Sequence, residues 1–182
     1  MTTKRRGDWM QTFTGETFWP LDPREEEIHV EDIAHALSNQ CRFAGHCHEF
    51  YSVAQHSVLV SQVVPAASGI MLWGLFHDAS EAYLVDLPRP IKRHSEIGRH
   101  YRAAERCLMD VICRRFGLRA SEPTAVMWAD DLLLATEKRD VMNGGGHKPW
   151  EHLPVPLSAS IVPMGPKDSE RLFLDRFAEL SP

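Results

Sequence analysis

Gly74-Leu75-Phe76-His77-Asp78-Ala79-Ser80-Glu81 is the stretch from which the fold is read. Ile70, Met71, Leu72 and Trp73 precede it, and Ala82, Tyr83, Leu84 and Val85 follow. A segment apolar nearly all round is a buried helix, and the pattern predicts one from about Gly69 to Val85. An imidazole or carboxylate inside such a helix is costly unless it is paired or binds metal. On a helix, Glu81 overhangs the region of His77 and Asp78 one turn earlier. A metal ion with a working carboxylate beside it is the economical explanation.

Working outward, the preceding helix spans about Tyr51 to Val64 and is ended by Pro65. Its stripe of Val53, Val60, Val63 and Val64 points His56 into the core. Before it, Asn39 to Phe50 is a loop carrying Arg42 and Phe43, and Val30 to Leu37 has helical spacing. Residues 1–30 are irregular apart from a short hairpin around Gly15. After the central helix, Asp86-Leu87-Pro88-Arg89-Pro90 forces a stop. A longer helix follows from about Lys92 to Phe116, with Ile97, Tyr101, Ala104, Leu108, Val111 and Ile112 inward. Gly117 ends it, and Ser121 can cap the next, which runs to about Met142 and is stopped by Gly144-Gly145-Gly146. Its stripe is Val126, Met127, Leu133, Leu134 and Val141. Asp130 falls inside that stripe and Asp131 nearer its edge, so the stripe selects Asp130. Glu137, two turns on, reads equally as an acceptor behind a ligand or as a surface pair with a neighbouring base. The proline-rich tail from His147 is either an ordered wrap or a flexible connection, and Asp168 to Leu180 is a last amphipathic helix.

A chain of 182 residues, 43% hydrophobic and 25% charged, fits a single domain over 1–182 with its core at about 31–142. The formal charge of -5 argues against a surface that coats nucleic acid. No apolar run is long enough to span a bilayer, and the basic N-terminus leads into no signal-peptide core. The expectation is a cytoplasmic protein with no membrane partner. Cys41, Cys47, Cys107 and Cys113 form no CxxC pair and read as reduced thiols. Cys41 and Cys47 with His46 and His48 match no standard zinc spacing and read as a polar loop.

Three helices thus each aim ligand types inward, in the order His56, His77-Asp78, Asp130. Two imidazoles and two carboxylates suit one divalent ion with open positions: a first-row metal such as Mn, Co, Fe, Zn or Ni, or Mg. This order resembles the HD-domain metal-dependent phosphohydrolases, and most of all their bacterial 5'-deoxynucleotidase-like branch. The resemblance rests on His77-Asp-Ala-Ser-Glu-Ala-Tyr-Leu-Val-Asp-Leu-Pro-Arg-Pro-Ile-Lys92, on Ser52-Val-Ala-Gln-His56-Ser57 and on Trp128-Ala129-Asp130. It implies an all-α HD bundle of about five to seven helices with His56, His77, Asp78 and Asp130 around the metal.

By the same resemblance, Glu81, Arg42 and Asp78 would be catalytic, Glu81 handling proton transfer near the leaving oxygen. Arg42 would orient the substrate phosphate with Phe43 beside it, and Asp86, Leu87, Pro88 and Arg89 would contact the nucleoside. The implied activity is hydrolysis of nucleoside (deoxy)5'-monophosphates, with a small nucleotide as partner and no nucleic acid; relatives of this kind are often homodimers. The alternatives are another HD phosphohydrolase, acting on a cyclic nucleotide, a nucleoside triphosphate or a non-nucleotide phosphate, and a non-catalytic metal- and nucleotide-binding module. Phe43 stands where that branch usually has tryptophan, and Arg89 replaces a small hydroxyl residue. Arg89 or His46 could add a second contact to phosphate.

Overall fold

Local sequence chemistry explains where the elements begin and end. The computed structural model describes residues 4–143 and 148–181, so the predicted stop at Gly144 to Gly146, with His147, lies outside the described residues. Strands β1 (Met10–Gln11) and β2 (Thr17–Phe18) form the predicted antiparallel hairpin, Met10 facing Phe18. Gly15 closes its turn at φ +91°, a conformation open to glycine without steric cost. The helices are α1 (Val30–Asn39), α2 (Val53–Val63), α3 (Ser68–Phe76), α5 (Arg89–His94), α6 (Glu96–Arg115), α7 (Thr124–Asp140) and α8 (Pro166–Leu180). A single turn, α4 (Glu81–Leu84), stands between α3 and α5. The fold is therefore all-α with a two-stranded hairpin, as the sequence predicts. No helix among the described residues is long and apolar enough to cross a membrane.

Helices α1, α2, α3 and α8 pack around Ile33, Leu37, Val53, Val58, Leu75, Phe76 and Phe173, all fully buried. Each such side chain contributes roughly 1.5–3 kcal/mol by leaving water. A second group, Val60, Trp73, Val126 and Leu133, joins α7 to α2 and α3. Gly74 sets the α2–α3 crossing, since a Cβ there would lie 3.1 Å from the Ser61 Cα. That close approach carries the end of α3 alongside His56 on α2.

Three helix boundaries differ from the predicted ones. The helix expected over Gly69–Val85 stops at Phe76, because the His77 ring bonds to the Gly74 carbonyl at 2.8 Å. The backbone then tightens: the Ala79 N–H donates to the Phe76 carbonyl and the Glu81 N–H to the Asp78 carbonyl, both at 2.9 Å. His77 and Asp78 thus sit in a turn rather than mid-helix. The helix expected from Lys92 is two helices, broken at the extended Ser95, whose hydroxyl accepts the Gly98 N–H at 3.0 Å and caps α6. Gly98 faces α5, which turns Ile97 out to 70% exposure instead of inward. Finally, α7 starts at Thr124 behind a buried Pro123 with no side-chain cap from Ser121, and Met127 is exposed rather than inward.

The described part of the proline-rich tail is an ordered wrap. The Gln55 amide donates to the Val162 carbonyl at 2.8 Å and accepts from the Met164 N–H at 3.1 Å. Asp140 accepts the Ile161 N–H at 2.8 Å.

A methyl group at Gly98 would overlap the Ile91 and Lys92 carbonyl oxygens. Gly98→Ala is therefore expected to destabilise the protein by about 1–3 kcal/mol, read as a lowered urea midpoint. An unshifted midpoint would mean that α5 does not rest on α6.

Candidate metal centre

Two histidine rings from different elements meet tip to tip. His56, fully buried on α2, places its Nε2 3.1 Å from the Nε2 of His77, in the turn after α3. His77 Nδ1 lies 2.8 Å from the Gly74 carbonyl, which only accepts, so that nitrogen carries the proton. His56 Nδ1 lies 2.6 Å from a Glu137 carboxylate oxygen and donates to it. In the neutral rings both Nε2 atoms are therefore bare lone pairs. Asp130 Oδ1 on α7 lies 3.2 Å from His56 Nε2, and Asp78 Oδ2 lies 3.2 Å from His77 Nε2 and 3.8 Å from His56 Nε2. With both rings neutral, four acceptors converge with no donor of their own among them. A cation resolves that arrangement, and His56, His77 and Asp130, whose ligand atoms all lie within 4.8 Å of one another, could hold a metal ion.

Electrostatics at the centre favour positive charge. Burial alone would push His77 down, but the Asp78 carboxylate outweighs it and raises His77 to about 10. Burial pushes Asp78 and Asp130 up, yet the imidazoles hold Asp78 well below the carboxylate range and Asp130 down to about 2. A field that stabilises a proton on His77 also stabilises a divalent ion at the same point. Mixed nitrogen and oxygen ligands suit several first-row metals.

Glu137 is the support behind this set. Its fully buried carboxylate accepts from His56, from Tyr51 OH at 3.0 Å and from Arg42 Nη2 at 2.9 Å. Burial raises its pKa, but Arg42 and His56 bring it to about 2. Of its two sequence readings, the acceptor behind a ligand is the observed one. Such partners fix the tautomer and aim of a ligating histidine.

The centre opens into a cleft of about 1290 Å³, lined by His77, Asp78, Glu81 and Asp130 together with Arg42, Phe43, Asp86, Leu87, Pro88 and Arg89. Every candidate site residue read from the sequence except the fully buried His56 thus faces one cavity. Arg42 lies between Glu137 and Asp78, with Nη1 3.6 Å from Asp78 Oδ2, and its Nε has no partner among the described residues. Phe43 and Ala44 follow it at φ +55° and +52°, and Gly45 at +82°. Left-handed backbone costs roughly 1–2 kcal/mol for each non-glycine residue, and here it turns Phe43 towards Trp150, ring centroids 6.0 Å apart.

Glu81 is 5% exposed, and burial followed by the Asp78 and Asp86 charges pushes its carboxyl well up. Lys92 reaches it at 3.7 Å and also pairs with Glu105. Gln40 clamps the segment that follows, donating to the Glu81 carbonyl at 2.9 Å and accepting the Asp86 N–H at 3.1 Å. Val85 between them sits at φ +67°, a rare strain for a β-branched residue.

Tyr51, Gln40, Lys92 and Trp150 escaped the sequence reading, because each acts across the fold and none interrupts a local period. Cys41, His46, Cys47 and His48 do not gather around a point: Cys47 Sγ donates to the Arg42 carbonyl and His48 Nε2 to the Asp140 carbonyl. Among the described residues, the His56–His77–Asp130 group alone has metal-ligand geometry.

No family model matches the chain. The uncharacterized protein YfdR of Escherichia coli is 39% identical over 175 residues, covering 95% of this chain and 96% of that protein. The uncharacterized protein RCAP_rcc00048 of Rhodobacter capsulatus is 36% identical over 125 residues, 65% of this chain and 63% of that protein.

Glu137→Gln removes the anion behind His56 and is expected to lower affinity for manganese by roughly ten- to a hundredfold, measured by titration calorimetry. Asp131→Asn, on the exposed side of α7, is expected to leave it unchanged. The reverse pattern would place the cation elsewhere.

Proposed function

The chain belongs to the same family as YfdR of Escherichia coli, and for it we propose an HD-type, metal-dependent hydrolysis of nucleoside (deoxy)5'-monophosphates to nucleoside and phosphate. The observation that carries this reading is the pairing of a cation-seeking set of bare acceptors with a buried, proton-holding Glu81 in one cleft. His56, His77, Asp78 and Asp130 would hold the ion. A divalent ion there supplies the acidity that makes water nucleophilic at neutral pH.

The chain's own residues do the rest. Arg42 presents a planar donor fork suited to phosphate oxygens, and its position against Glu137 and Asp78 holds the guanidinium still. Glu81, kept protonated by burial, gives its proton to the leaving 5'-oxygen. Asp86 to Arg89 face the nucleoside, with the Asp86 backbone pinned by Gln40. Phe43 and Trp150 offer apolar ring surface in the same cleft. A module that only binds nucleotide has no use for a buried proton donor, which favours the catalytic reading.

Two measurements test it. Reconstituted with manganese or cobalt, the protein is expected to release inorganic phosphate from nucleoside monophosphates, and Glu81→Ala to lower turnover by at least about tenfold with the metal retained. If metal content falls in step with activity, Glu81 has another role; if nucleotides bind and no ester is cleaved, the module reading wins. The pH profile gives the second test. The working form of Glu81 is the protonated one and its pKa is raised, so kcat should fall as pH climbs through that raised value, and Glu81→Ala should remove this limb. A limb unchanged in the variant would assign it to another group.

A further inference from the structure

We propose that Arg93 on α5 and Arg102 and Arg106 on α6 form a second anion subsite, so that the ester cleaved at the metal centre carries a further phosphate. The proposal rests on the phosphohydrolase reading above and moves its substrate class from a plain nucleoside 5'-monophosphate to a multiply phosphorylated nucleotide.

Size is the first argument. Sites for one small ligand measure roughly 300–1,000 Å³, and this cleft, at about 1290 Å³, has room beyond the metal centre. Charge is the second. All three arginines line the cleft, and no carboxylate of the described residues lies within 4.0 Å of any of them. Arg5, Arg114, Arg139 and Arg176 are matched to Glu27, Glu25, Asp140 and Glu179, and Arg6, Arg24, Arg115 and Arg119, which also lack an ion pair among the described residues, lie outside the cleft. The acids near the three do not cancel them. Glu105 is taken by Lys92, and Asp110 and Glu122 come within salt-bridge distance of none of the guanidiniums.

The third argument is that the corner is built. Gly98 lets the α5 backbone rest on α6, and Ser95 Oγ donates to the Ile91 carbonyl at 2.7 Å while accepting the Gly98 N–H. Arg102 Nη1 bonds the Lys92 carbonyl, tying α6 to α5 beside Arg93. The α5–α6 packing therefore sets the backbone positions of Arg93 and the two α6 arginines, and the Arg102 guanidinium is tethered at the same corner. A planar guanidinium pairs with phosphate through two parallel hydrogen bonds, and Arg93 and Arg106, exposed and without a carboxylate partner among the described residues, can turn to make that contact beside the tethered Arg102. The shared ligand chemistry is a second phosphate on the same nucleotide, whether on the 3'-oxygen or along a 5'-polyphosphate.

The test compares kcat/KM of the metal-reconstituted full chain for a nucleoside 5'-monophosphate, the matching 3',5'-bisphosphate and the 5'-triphosphate, with release of phosphate from the first two and of triphosphate from the third followed. In the Arg93→Ala/Arg106→Ala variant, the preference for a multiply phosphorylated substrate over the monophosphate is expected to fall by at least about tenfold. Arg93→Lys/Arg106→Lys, which keeps the charge, is expected to recover most of it. Which of the two substrates loses its advantage identifies where the second phosphate lies. If monophosphate is cleaved and neither preference moves, the subsite is overturned and the hydrolase reading stands. If no ester is cleaved at all, the hydrolase reading falls, and the subsite is decided by binding. The affinity of the metal-loaded protein for the bisphosphate must then drop by at least about tenfold in the alanine variant, and an equal affinity overturns it.

Discussion

Two imidazole nitrogens 3.1 Å apart, hemmed in by two carboxylates, form the constraint around which this molecule is arranged. When neutral, each ring has its one N–H on the far side, His56 on Glu137 and His77 on the Gly74 carbonyl. Lone pairs at that distance repel, and the carboxylates of Asp78 and Asp130 add negative charge beside them. Only a positive species makes such a cluster favourable, and the fold holds the cluster together from three separate elements. The Gly74 approach to α2, the break in α3 at His77 and the burial of Glu137 all serve that one juxtaposition.

Glu137 links this centre to its surroundings. It orients His56, accepts from Tyr51 and anchors Arg42. Arg42 in turn lies against Asp78, so the candidate phosphate-binding residue and the ligand set share one buried network. A buried carboxylate with three donors and an arginine counter-charge is a stable anion, which is why its pKa sits at about 2 despite full burial. Farther out, the network gives way to strained backbone at Phe43, Ala44 and Val85. Strain of this kind concentrates where side chains must be aimed, and all of it lies at or beside the cleft.

Much of this was legible in the chain before folding. Val53 and Val60 fix the inward direction of His56, and the stripe of Val126, Leu133 and Leu134 separates Asp130 from Asp131. Those readings survive because helical periodicity reports the direction of a side chain whenever the helix is intact. They fail where it is not. Nothing local marks the stop at Phe76, since the competing bond comes from the His77 side chain to a carbonyl three residues earlier. The same holds at Ser95, where Gly98 takes the buried position and Ile97 is turned outward. Glu137 was undecided from sequence because its burial depends on Arg42 and Tyr51, both far away in the chain. Trp150 lies in a proline-rich stretch without period, so its arrival beside Phe43 is a property of the fold alone.

Anomalous diffraction from crystals soaked in manganese addresses the central claim most directly. The account predicts a single strong peak within bonding distance of His56 Nε2, His77 Nε2 and an Asp130 oxygen, with the two ring nitrogens moved slightly apart to admit it. A peak elsewhere, or no peak while the two rings stay in contact through a shared proton, would contradict it.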